Sequence, residues 1–245
     1  MSRSPLVREH LLALADDEHI IGARHTAWIG LGPFLEEDLA FCSIAQDELG
    51  HALALYTLLV DDGDVDRMAL LRDAAEYRSC WLVEAECSDW ADALVRHWLY
   101  DRAEALRWEA LAAAADVEIA EIAASAQREE VFHLRHAEQF MARIAASHEA
   151  PRVAAATERL LPMAIASWDG AEPADELRGE DLPRRWEAAV RDDLATWGLA
   201  VRWPARSVID DVLARQGGRR IRSPAFAALQ ADLQRVVAID PSARW

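Results

Sequence analysis

Two tetrapeptides, Glu48-Leu49-Gly50-His51 and Glu130-Val131-Phe132-His133, each set a carboxylate three residues ahead of an imidazole. On a helix that spacing is a little under one turn, so both side chains emerge on one face and can reach the same cation. A lone Glu-x-x-His is a weak signal, because a chain rich in glutamate with eight histidines produces one by accident. The face they occupy strengthens it. Phe41, Ile44, Glu48, His51, Leu55 and Leu58 step by three and four residues, as do Ala123, Ala126, Glu130, His133, Ala137 and Phe140. That is the stepping of a helix seam turned toward an apolar core. A carboxylate on such a seam carries a desolvation penalty unless a cation compensates it, and a metal ion does so most simply.

The same stepping in the first segment, Leu11, Leu14, Glu18, Ile21, His25 and Trp28, puts Glu18 on the buried line and turns Asp16, Asp17 and His19 elsewhere. In a later segment Leu94, Trp98, Asp101, Ala105 and Trp108 form a comparable line, on which Asp101 competes with Glu104 one turn along. Glu18 precedes Glu48 by 30 residues and Asp101 precedes Glu130 by 29. A carboxylate, a helical hairpin's length of chain and then Glu-x-x-His therefore occur twice. Folded as an antiparallel bundle, the chain brings Glu18, Glu48, His51, Asp101, Glu130 and His133 to one level, the arrangement of ferritin-like dinuclear carboxylate sites. In that arrangement Glu48 and Glu130 bridge or chelate the metals, each histidine takes one metal, and Glu18 and Asp101 are terminal ligands. The ligand chemistry suits two iron ions, with manganese as the other hard cation it would accept.

The elements that must position these residues read as helix almost throughout. A first helix over residues 5–29 stops at Gly30-Leu31-Gly32-Pro33. A second runs over 35–60 into Asp61-Asp62-Gly63-Asp64, and Val65 to Ser88 forms a crossover with short helical pieces. Ser88 or Asp89 caps a third helix reaching about Ala114, and the fourth spans about Asp116 to Ala146. Ser147 through Pro151 breaks it; a fifth helix covers 153–168, an acidic loop runs from Asp169 to Pro183, and three more helices lie near 184–197, 206–216 and 224–237. The expected fold is all-α, a ferritin-like four-helix bundle over 1–150 with a C-terminal helical extension, 151–245, packed on it.

Hydrophobic residues make up 52% of the 245, enough to bury a substantial core. Net charge is −17 and every basic residue is arginine, so the surface is a poor match for nucleic acid. No run approaches the roughly 18 apolar residues of a membrane span, and three cysteines without zinc spacing suit buried thiols in a reducing compartment. The expected location is the cytoplasm.

The run from Leu35-Glu36-Glu37-Asp38 through Gln46-Asp47-Glu48-Leu49-Gly50-His51, with Trp28 and Gly32-Pro33 before it, resembles the PaaA/PaaC family, the large subunits of the bacterial phenylacetyl-coenzyme A ring epoxidase. Trp90-Ala91-Asp92-Ala93, Tyr100-Asp101, Arg128-Glu129-Glu130, His133-Leu134-Arg135 and Gly217-Gly218-Arg219-Arg220 extend the likeness over nearly the whole chain, and length and tail are most similar to the PaaC branch. The resemblance implies a ferritin-like fold and a two-iron centre in the catalytic subunit, with O2-dependent epoxidation of an aromatic acyl-CoA ring in phenylacetate catabolism. It implies electrons from a separate flavin/iron-sulfur reductase. The implied partners are a PaaA-like large subunit or a second copy of this chain, a small subunit, and the reductase. The family's ligand positions fall on the same six residues. PaaC sequences carry apolar or amide residues at several of them and serve as scaffold, whereas this chain keeps all six. Two functions follow: an oxygenase component with its own metals, or a structural scaffold without turnover.

Several other residues have bland alternatives. His25 reads as a hydrogen-bonded core histidine or a group supporting a ligand, and His136 as exposed. Trp81, Trp90, Trp98 and Trp108 line a substrate channel or, as such spacing more often means, pack between helices. Arg219, Arg220 and Arg222 suit coenzyme A phosphates or an acidic partner surface.

Overall fold

The computed structural model describes residues 3–60, 63–169 and 181–240. Among these the chain is all-α, with no strand. Helix α1 spans Pro5–Thr26 and α2 Leu35–Thr57; α3 (Val65–Leu70), a 3-10 turn (Ala74–Glu76) and α4 (Trp81–Glu84) make the crossover. Then follow α5 (Trp90–Ala112), α6 (Val117–Ala145), α7 (Ala150–Ala166), α8 (Leu182–Thr196), α9 (Arg206–Gln216) and α10 (Phe226–Gln234). Helix α1 packs along α2, α5 along α6, and α2 meets α6, which joins two hairpins into a ferritin-like four-helix bundle.

Local chemistry sets the boundaries. The Ser4 hydroxyl accepts from Val7 N at 3.3 Å and Pro5 stands in the first turn of α1. Asp89 caps α5 by accepting from Asp92 N at 3.0 Å, and Asp116 caps α6 through Glu118 N and Ile119 N. Gly217 closes α9 in the left-handed conformation, φ 55°. Pro151 does not break the chain: it sits in the first turn of α7, where its missing N–H costs nothing, so that helix starts three residues earlier than its apolar pattern suggests. Asp61, Asp62 and the stretch from Gly170 to Glu180 of the expected acidic loop lie outside the described residues.

Two apolar clusters fill the bundle. One gathers Leu11, Leu14, Leu55, Tyr56, Trp108, Leu111, Ile119 and Ala123. The larger takes Ile20, Ile21, Leu94, Trp98, Leu99, Ala137 and Phe140 from the bundle with Leu160, Leu161, Trp186 and Phe226 from the helices after it. Trp186 Nε1–H donates to Leu99 O at 3.1 Å, so the C-terminal helices share the core of α5. On α1 and α6, Glu18 and the Glu130/His133 pair fall between the stretches that feed the two clusters. Helix α1 approaches α2 closely at Gly22, where an added Cβ would stand 3.0 Å from Leu49 Cγ and 3.2 Å from Ala45 O.

Candidate metal centre

Each of the four long helices sends carboxylates, and two of them imidazoles, into the layer between the apolar clusters. Glu18, Glu48 and Asp101 are fully buried, Glu130 is 1% exposed, and His51 and His133 are 5% and 2% exposed. The Nδ1 of His51 lies 3.2 Å from Glu18, 3.7 Å from Glu48 and 3.7 Å from Glu130. His133 Nδ1 lies 3.1 Å from Glu130 and 3.6 Å from Glu48. All six residues singled out in the sequence therefore meet in one place.

Ligand atoms fall into three groups, each within 4.8 Å mutually: Glu18 with Glu48 and His51; Glu48 with Glu130 and His133; and Glu48 with Asp101 and Glu104. Glu48 belongs to all three. Glu104, also fully buried, turns inward, while Ala105 on the expected α5 seam is only half-buried. Asp101 lies 3.0 Å from His97 Nδ1 without the alignment of a hydrogen bond.

The electrostatics show what this layer lacks. With every acid ionised, both oxygens of Glu48, Asp101 and Glu104 and one of Glu130 are buried without a donor, each a cost of about 1–3 kcal/mol. Burial, then the charges of Glu130 and Glu18, push Glu48 well above the usual carboxylate range. Burial and the neighbouring glutamates do the same to Glu104, and burial lifts Asp101 to about 8. Burial also opposes ionisation of Glu18, but hydrogen bonds from Glu104 and His51 outweigh it and hold Glu18 down to about 2. Burial would lower both histidines, yet the carboxylates around them raise His51 to about 12 and His133 to about 10. Protons thus occupy the places where cations would relieve the same repulsion. Four helices, five carboxylates, two imidazoles and orphaned oxygens fit a pair of hard divalent cations.

Two residues that sequence reasoning passed over complete the arrangement. His51 Nε2–H donates to Glu129 Oε2 at 2.7 Å, and His133 Nε2–H donates to Asp47 Oδ2 at 3.1 Å. Glu129 is on α6 and holds the histidine of α2; Asp47 is on α2 and holds the histidine of α6. With Nε2 anchored in this way, each ring turns Nδ1 toward the centre, where loss of its second proton would expose a lone pair. The signal was present as the acidic residue directly before each Glu-x-x-His. Tyr100 adds an O–H to Glu18 at 3.2 Å.

Other expectations need correction. His136 is half-buried, its Nε2 2.8 Å from Glu37 and its Nδ1 3.3 Å from His97. His25 is fully buried with neither nitrogen partnered among the described residues, its ring edge-on to Phe41 and His97. Asp16 and Asp17 do leave the seam but are also buried, Asp16 against Tyr56 and Arg72 and Asp17 against Cys80 N and Arg219. Two arginines of the cluster are consumed internally, Arg219 2.7 Å from Asp17 and Arg222 2.6 Å from Glu84, while Arg220 stays exposed and pairs at the surface with Glu9 at 2.5 Å. Trp81, Trp98 and Trp108 pack between helices, while Trp90 lines an apolar cavity of about 320 Å³ with Phe34, Phe140 and Val153. Of the cysteines only Cys80 is buried; Cys42 and Cys87 are half-buried, all three as free thiols.

A family model described as "Phenylacetic acid catabolic protein", PaaA/PaaC, matches residues 2–245. The chain belongs to this family. It is also similar to the C subunit of the 1,2-phenylacetyl-CoA epoxidase of Escherichia coli (strain K12), with 31% identity over 138 residues. That match covers 55% of this chain and 56% of the relative, about half the length of each. No described helix of this family member is long and apolar enough to cross a membrane.

Proposed function

We propose that this chain is a component of a multicomponent epoxidase of phenylacetate catabolism and that it carries a two-metal centre of its own. The observation behind the reading is the sealed layer in which Glu48 is shared by two Glu-and-His groups and its oxygens have no donor. One iron would be held by Glu18, Glu48 and His51, the other by Glu48, Glu130 and His133, with Asp101 and Glu104 as the remaining carboxylates. When bound, the iron pair supplies electrons to dioxygen, so that one oxygen atom adds across a ring double bond of an aromatic acyl-CoA and the other leaves as water. Electrons for the next turn come from a separate flavin/iron-sulfur reductase in the cytoplasm.

The residues of the chain do the rest. Asp47 and Glu129 hold the outer nitrogens of the two histidines and so aim the inner ones. Glu48, Glu104 and Glu130 surrender the protons they keep in the metal-free state, and Tyr100 stabilises Glu18 as a carboxylate. The apolar clusters above and below exclude water, which strengthens each charge interaction within the layer.

A scaffold role has one observation of its own. Leu35, Leu39 and Leu53 on α2 and Val131 and Phe132 on α6 are 54–68% exposed, an apolar face suited to a partner protein of the same complex. Anaerobic loading with ferrous salt, followed by a single turnover of the reduced protein with phenylacetyl-CoA under labelled dioxygen, separates the two. The oxygenase reading requires about two irons per chain and label in the product; full loading without oxygenated product leaves the scaffold, and loading below one iron removes the metal centre.

A further inference from the structure

A fully buried centre needs a way in for its cations. Of the side chains around it, Glu18, Glu48, Asp101 and Glu104 have no exposure at all, and the outward edges of His51 and His133 are its nearest approach to solvent. The His51 edge borders a cavity of about 450 Å³ in the cleft between α2 and α6. Asp47, Glu121 and Glu129 stand around it, and among the described residues no arginine lines it. Glu129 lies across its inner end on His51, yet its side chain is 43% exposed and so has room to turn outward. The apolar cavity at Trp90 and Phe140 is lined by none of the candidate ligands and offers a cation little to replace its water.

We propose that the α2/α6 cleft is the cation port of this protein: a hydrated divalent cation collects at Asp47, Glu121 and Glu129 and enters as Glu129 releases His51. Carboxylates at the mouth raise the local cation concentration and replace the hydration shell one oxygen at a time. Gly50 keeps the passage open. It lies on the wall of the cavity, it has no positive φ, and a Cβ built on it meets nothing within 4 Å. A side chain there would stand in the passage without displacing a ligand, and replacing a mid-helix glycine favours the helix.

The proposal rests on the two-metal reading, and cobalt(II) uptake by the intact chain tests both. Stopped-flow absorption of the cobalt d–d bands gives a rate, and titration gives an end-point. Gly50→Leu is expected to reach the parental end-point at a rate lowered by about tenfold or more, and Ser125→Phe, from the α6 wall, to do the same. Val153→Phe, which fills the apolar cavity instead, is expected to load at the parental rate, and added salt to slow the parent. Parental rates in both Gly50→Leu and Ser125→Phe, or an equal slowing in Val153→Phe, overturn the port while leaving the centre standing. A parent that takes up no cobalt overturns both.

Discussion

Glu48→Gln separates a metal centre from a structural polar layer, because the two predict opposite signs for the metal-free protein. Glu48 is the carboxylate common to every candidate ligand group, and burial with the charges of Glu130 and Glu18 raises its pKa well above the usual range. Its two oxygens have no donor. Metal-free, Glu48 keeps a proton that the unfolded chain gives up, and the neutral amide removes that cost, about 1–3 kcal/mol, which for a chain of this size raises the metal-free Tm by about 2–12 °C. Parental protein gains from loading instead: metal at a hundred times Kd adds about 2.7 kcal/mol, or about 5–11 °C at ~2–4 °C per kcal/mol. Scanning calorimetry of both proteins, with and without manganese(II), is the assay. The metal-free variant should melt above the metal-free parent, and the metal-induced rise should shrink or vanish. A variant less stable than the parent without metal, or one that metal stabilises as strongly, would refute the reasoning.

Three further outcomes follow from particular contacts. Asp47→Ala frees the outer nitrogen of His133 and should weaken metal retention about 10–100-fold in competition with a chelator, with little change in metal-free Tm. Arg219→Met leaves Asp17 charged and unpaired in the interior, and should cost about 3–5 kcal/mol in urea unfolding at unchanged metal stoichiometry. Burial, assisted by Arg107 and Arg219, lowers His10 to about 3. Between that value and its unfolded pKa of about 6.5 the unfolded chain binds the extra proton, so this group's stability is complete above pH 6.5 and is lost as pH falls, by up to about 1.4 kcal/mol per unit. His10→Gln should flatten that acid limb in urea midpoints measured from pH 7 to pH 5.

The helices were legible because their seams alternate by three and four residues and because Asp89 and Asp116 are strong caps. The buried polar layer was legible for the same reason: Glu18, Glu48, His51, Glu130 and His133 interrupt otherwise apolar lines. Asp101 and Glu104 could not be ranked, since both sides of α5 at that level are buried and periodicity distinguishes only inside from outside. That failure recurs at His136, Asp16 and Asp17, which lie off the seam yet meet partners on other elements. A basic cluster in an acidic protein suggests an external anion, yet Arg219 and Arg222 are buried against carboxylates of this chain and only Arg220 stays exposed. Their partners Asp17, Glu84 and Glu9 lie more than a hundred residues away in sequence, where only tertiary structure reveals them.

Asp47 on one hairpin and Glu129 on the other each clasp the outer nitrogen of the opposite hairpin's histidine. A slip of α2 past α6 by one residue, about 1.5 Å, would therefore misdirect both rings at once. Tightening or loosening the alignment of those two rods therefore acts on both imidazoles through a single displacement.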